Sequence, residues 1–149
     1  MPKIEIVNRQ SKFRINRKDI IRAVELVLGS VKRKSAGVNV VFVDNKTIKK
    51  LNRKFLRHDY ITDVIAFPFD DKDKGFLGDV VVSVERAREG AREEARRRGI
   101  TTREEILRYV IHGVLHLLGY RDKRLSDKKR MWARQEEIVE KIKSKSAKL

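Results

Sequence analysis

Apolar and polar positions alternate from Lys3 to Asn8, with Ile4 and Ile6 on one face and Glu5 on the other, the period-two pattern of a half-buried strand. The period then changes. Asn16 is placed to cap a helix running to about Leu28, in which Ile20, Val24, Val27 and Leu28 form one apolar stripe and Gly29 supplies a stop. Val38 to Val43, VNVVFV, is rich in β-branched residues and bounded by Gly37 and Asp44, so it reads as a buried strand. Asp44 can cap a short helix that turns Ile48 and Leu51 inward.

From Leu51 to Asp70 the chain begins polar and ends as a strand through Val64, Ile65, Ala66 and Phe67. Pro68 has no N–H to give a sheet ladder, which ends this strand or places its tail at an edge. Residues 70–75, DDKDKG, read as a hairpin turn, and LGDVVVSV as a fourth strand. The spacing of Asp71, Asp73 and Gly75 hints at a calcium loop, but the twelfth-position Glu of such a loop is missing, and an ordinary turn is the expectation. Glu85 to Arg98 is helical, with Ala87, Ala91 and Ala95 as a narrow seam for close packing. Its basic end, ARRRG, suits either the helix dipole or a phosphate contact.

Thr101 and Glu104 fit the S/T-x-x-E capping box, so a helix starts near Thr102. It is apolar on several sides through Ile106, Leu107, Val110, Ile111, Val114, Leu115 and Leu118, which makes it central and mostly buried. Gly119 offers its C-terminal stop. Ser126 is placed to cap a last helix in which Met131, Gln135, Ile138 and Ile142 align, with Trp132 and Val139 beside them. The terminal KIKSKSAKL has little to bury and should fray. The order βαβα, then ββ, then three helices predicts an α+β domain spanning 1–149, with a mixed sheet of about four strands packed with about five helices.

A chain of 149 residues can bury a real core as one domain. The sequence contains no cysteine, so there is no disulfide framework or thiolate site, and any metal must be held by His, Asp or Glu. The N-terminus lacks the apolar region of a secretory signal and no apolar run approaches a spanning helix, so a cytoplasmic location without membrane contact is the expectation. The net charge of +16 points to a polyanionic partner, above all nucleic acid. Ion-pair networks of a heat-stable surface would need both signs of charge and no such excess.

Two of the three histidines, His112 and His116, lie at i and i+4 on the most apolar helix, while His58 lies in a polar stretch. Residues four apart share a helix face, so both imidazoles can reach one ion. With a turn at Gly119, Asp122 can swing back to complete a three-ligand site with an open position, the arrangement of a catalytic metal. The zincin motif H-E-x-x-H is not met, since Gly113 stands where that motif carries its general base, and a metalloprotease is disfavoured. Glycine inside a helix costs up to about 1 kcal/mol relative to Ala, so either a backbone or substrate approaches there, or neighbouring elements pack tightly.

The run HGVLHLLGYRD resembles the HGxLHLxGYDH signature of the YbeY family, metal-dependent endoribonucleases implicated in ribosomal RNA maturation and ribosome quality control. The resemblance continues in LNRKFLRHDYITDVIAFPF and LGDVVVSVE, and spans Leu51 to Asp122. It implies that His112 and His116 are the first two ligands and that the third, a histidine in the family, is Asp122 here. An aspartate oxygen is a competent zinc ligand, and two His with one carboxylate also suit iron or manganese, so one divalent ion, zinc first, is the expected cofactor. The family's arginine beside the LN stretch aligns with Leu56, and Arg57 is the nearest substitute for binding phosphate. Ala66 stands where the family often has Ser, and Ile61 where it often has Pro.

The resemblance and the charge together imply metal-dependent, single-strand-specific endoribonuclease action on ribosomal RNA, with Arg57 and Arg121 among the backbone contacts. The alternative is a non-catalytic RNA-binding or ribosome-assembly factor whose metal is structural.

Overall fold

The computed structural model describes residues 2–58, 62–70 and 75–145. Asp71 and Asp73 of the calcium-like turn, Ile61, the side chains of Ala95 and of the arginines at 96–98, and residues 146–149 of the tail lie outside what is described.

The described elements are β1 (Lys3–Asn8), α1 (Arg17–Ser30), β2 (Gly37–Val43), α2 (Asn45–Leu56), β3 (Val64–Pro68), β4 (Phe76–Ser83), α3 (Val84–Arg98), α4 (Thr102–Leu117) and α5 (Leu125–Lys145). The strands form one mixed sheet in the order β1-β2-β4-β3, with β1, β2 and β4 parallel and β3 antiparallel to β4. This is the expected α+β architecture of four strands and five helices. Pro68 ends β3, which is an edge strand, where a missing N–H does no harm.

Strand periodicity divides the core between the two sheet faces. Val38, Val40 and Phe42 of β2 and Val80 and Val82 of β4 point into the large core built with α1, α4 and α5. Val43, Ile65 and Val81 face the other way and are covered by Ile48 of α2, with Leu51 packed beside them. The predicted caps form: Asn16 accepts from the Asp19 N–H, Asp44 from Thr47, and Thr101 from Glu104. Only half of the expected capping box exists, however, because the Glu104 carboxylate turns to Arg108 and Lys143. One helix stop and one cap differ from expectation. Gly29 stays within the last turn of α1, and the chain takes positive φ at Lys32 instead. Ser126 lies in the first turn of α5, one residue inside its start at Leu125.

Helix α4 is the centre of the molecule, packed against α1, α3, α5 and the β3–β4 side of the sheet. Gly113 explains how it gets so close. A Cβ there would lie 2.4 Å from Cγ1 of Val80 and 3.1 Å from Cγ2 of Val64, so packing against the sheet, and not a substrate, requires the glycine. The Gly113→Ala protein should therefore lose roughly 1–3 kcal/mol in urea unfolding, overpacking outweighing the helix propensity gained. Stability equal to or above the parent would show that the sheet gives way. No helix among the described residues is long and apolar enough to cross a membrane.

Candidate metal centre

The end of α4 folds so that its two histidines meet the residues just beyond it. Leu118 caps the helix and Gly119 adopts φ +100°, a conformation that side chains with a Cβ resist. The Tyr120 N–H then bonds back to the Leu115 carbonyl and the Gly119 N–H to that of His116, the paired hydrogen bonds of a Schellman stop. This reversal brings Asp122 over the helix it has just left.

His112 and His116 present their Nε2 atoms to one another at 3.1 Å. Asp122 Oδ2 lies 3.3 Å from His116 Nε2 and 3.8 Å from His112 Nε2. Tetrahedral bonds of about 2.0–2.2 Å would hold ligand atoms about 3.3–3.6 Å apart, so the spacing suits a single small cation. All three donors converge within 4.8 Å.

The remaining ring nitrogens decide which tautomer is present. His116 Nδ1 lies 3.1 Å from the Tyr120 carbonyl, which can only accept, so the proton is on Nδ1 and the Nε2 lone pair is free to bind. His112 Nδ1 lies 3.0 Å from Gln135 Oε1. That amide is itself oriented, because Gln135 Nε2 donates to Glu136 Oε2 at 3.1 Å, leaving Oε1 as the acceptor from His112. Glu136 is in turn held by the Arg108 guanidinium, whose Nη2 donates to Oε1 at 2.9 Å. Two Nε2 lone pairs pointed at each other repel unless an electrophile lies between them. The donor set and its outer hydrogen bonds therefore fit a divalent cation. Burial and the neighbouring His116 push the His112 pKa below its ordinary value, against the pull of Gln135, which favours the neutral imidazole a metal requires.

Beside the three donors a cleft of about 230 Å³ opens between α4 and α5. His112 and Asp122 line it together with Lys128, Trp132 and Gln135 of α5 and with Asp63, which directly precedes β3. Asp63 is fixed there by the Val64 N–H, which donates to its Oδ1 at 2.7 Å. Burial raises the Tyr109 pKa, with Asp63 and Glu105 adding to the rise, so its phenol stays protonated.

The structure thus brings His112, His116 and Asp122 together. Arg57 is elsewhere: it ends α2 in a left-handed conformation (φ 58°), exposed, and does not line the cleft. Arg121 is exposed in the turn after α4 and faces a separate depression with Tyr120 and Arg130. Sequence reasoning placed Gln135 in an apolar stripe and did not identify it, Glu136, Arg108 or Asp63 as part of the site. One signal was present, since Gln135 is a polar residue in line with Met131, Ile138 and Ile142, and a polar position in a buried stripe asks for a polar partner.

The profile of the family described as Endoribonuclease YbeY matches residues 5–143. The chain is 38% identical over 146 residues to the Endoribonuclease YbeY of Persephonella marina, covering 93% of this chain and 92% of that one. It is 42% identical over 120 residues to the protein of the same name from Carboxydothermus hydrogenoformans, covering 78% and 80%. The solution structure of a Thermotoga maritima protein is similar with a TM-score of 0.66 at 31% identity, over 95% of this chain and 90% of that one. A match over nearly the whole length, joined to the HGVLHLLGYRD turn that builds the three-donor site, means that this chain belongs to the YbeY endoribonuclease family.

Proposed function

We propose that this protein is a metal-dependent endoribonuclease that cuts single-stranded ribosomal RNA in the cytoplasm, the whole chain acting as one domain. The observation that carries the reading is the convergence of His112, His116 and Asp122 with both histidine Nδ1 protons already engaged, by Gln135 and by the Tyr120 carbonyl. These three residues would hold the ion, with zinc the first candidate because its tetrahedral sites take nitrogen and oxygen donors at this spacing. A bound divalent cation supplies Lewis acidity beside a phosphodiester.

The chain's own groups do the rest. Gln135 and Tyr120 fix the imidazoles so that neither ring reorients during the reaction. Of the described carboxylates facing the cleft, Asp122 belongs to the donor set and Glu105 is engaged by Arg108, so Asp63 is the candidate to take the proton from the attacking hydroxyl. Lys128 at the cleft and the exposed Arg57 and Arg121 contribute to the cationic surface along which an RNA backbone runs, in keeping with the +16 charge.

Metal content and cleavage test this together. The protein as purified should carry about one divalent ion per chain and cut single-stranded ribosomal RNA in a chelator-sensitive way. Asp122→Ala should lose most of that metal, more than about 100-fold in affinity, because it removes a direct ligand where outer hydrogen-bond partners alone are worth about 10–100-fold. Full occupancy in Asp122→Ala sinks the three-ligand site. RNA binding without any metal-dependent cleavage would instead favour a non-catalytic assembly factor.

A further inference from the structure

Trp132 is the chain's only tryptophan, and it is 57% exposed on α5, whose Met131, Ile138, Val139 and Ile142 are buried in the core. The fold does not need that ring. It lies on the same cleft as His112 and Asp122, and one helical turn before Gln135, the residue that holds His112. Lys128 stands four residues earlier, on the same face of α5.

The charges of the cleft sort what can enter it. Among the described residues, its inner end carries Asp63 and Glu105 beside Asp122, with Arg108 engaged by Glu104, Glu105 and Glu136. Away from the three-donor site, where a bound cation would receive the scissile phosphate, Asp63 and Glu105 repel a second phosphate, whereas a flat uncharged ring meets no such repulsion. Among the described lining residues, Lys128, on the same cleft as the exposed indole, is the cation placed to meet a phosphate.

Resting on the endoribonuclease reading, we propose that this cleft is a nucleobase subsite: Trp132 stacks a base next to the scissile phosphate while Lys128 pairs with the phosphate that base carries. Stacking is indifferent to base identity, because every base offers a π-face, and it requires an unpaired base, which duplex RNA does not present. Trp132 thus confers preference for single strands rather than for a sequence.

The test uses the full-length metal-loaded protein and a short 2′-O-methyl oligoribonucleotide, with an abasic chain of the same length as the control. Because Trp132 is the sole tryptophan, its fluorescence reports directly on the site. The oligonucleotide should quench it saturably, and the abasic chain should bind through charge without quenching. Trp132→Ala should weaken oligonucleotide binding, read by anisotropy of a labelled strand, about 5- to 150-fold, with Trp132→Phe recovering most of the loss. In cleavage assays the Ala variant should raise KM more than it lowers kcat. Equal affinity of Trp132→Ala and parent, equal quenching by the abasic chain, or no binding at all overturns the subsite. Cleavage is scored separately: base-dependent quenching in a protein that never cuts RNA overturns the nuclease reading and leaves the subsite standing.

Discussion

Replacing His116 by alanine is expected to remove bound metal and to reduce RNA cleavage by about three orders of magnitude, with little change in the unfolding midpoint when both proteins are compared metal-free. The first part follows from geometry. His116 is the middle donor, 3.1 Å from His112 Nε2 and 3.3 Å from Asp122 Oδ2, so its loss leaves two ligands and no enclosed site. The activity estimate takes the cation's effect as about 4 kcal/mol of transition-state stabilisation, at 1.36 kcal/mol per decade. The small effect on stability follows from exposure, since the side chain is 28% accessible and the core contacts of α4 belong to its neighbours Leu115 and Leu117. Gln135→Ala is the graded comparison. It removes the Nδ1 partner of His112 but no ligand, so metal affinity should fall about 10- to 100-fold and activity should return at high metal concentration. Inductively coupled plasma analysis, cleavage rates across a metal titration and thermal melts check all three. A His116→Ala protein that keeps a full complement of metal and its cleavage rate would refute this assignment of the site.

The parts of this site that were legible in the sequence are those whose partners are close along the chain. His112, His116, Gly119 and Asp122 fall within eleven residues, and helical periodicity with a glycine stop suffices to bring them together. The YbeY-like signature covers the same short run. The hydrogen bonds that orient the donors are different in kind. Gln135 reaches His112 across 23 residues, and Glu136 reaches Arg108 across 28, through an α4–α5 packing angle that no local pattern fixes. Arg57 illustrates the converse. A one-residue offset from the family's arginine was enough to make it a candidate, yet at the end of α2 it sits outside the cleft. Gly113 was legible as unusual but not as to cause, because the valine it accommodates comes from β4, 33 positions earlier.

The largest effect on stability is expected from Arg108→Met. The guanidinium is 11% exposed and is shared by Glu104, Glu105 and Glu136, at 3.3, 3.3 and 2.9 Å. Removing it leaves acids on two helices facing one another without a countercharge. Of these three acids Lys143 relieves Glu104, whose Oε1 it approaches to 2.8 Å. Loss of one partner from a buried ionic cluster typically costs about 3–5 kcal/mol, and the Arg108→Met protein should lose that much at pH 7. The pH dependence gives the cause away. Burial raises the Glu105 pKa even with Arg108 pulling it down, so the folded protein binds that proton more tightly than the unfolded chain does. Such a carboxyl withdraws stability as pH rises through its folded pKa, and taking away Arg108 raises that pKa further. The deficit of Arg108→Met relative to the parent should therefore shrink on acidification through the carboxylate range, as neutral acids cease to need a countercharge. Urea unfolding of both proteins at several pH values measures it. A deficit that stays constant or grows as the pH falls would mean that lost packing, and not uncompensated charge, is what Arg108 prevents. The same substitution should weaken metal binding, because Glu136 would no longer be held where it orients Gln135, and the Oε1 acceptor facing His112 depends on that orientation.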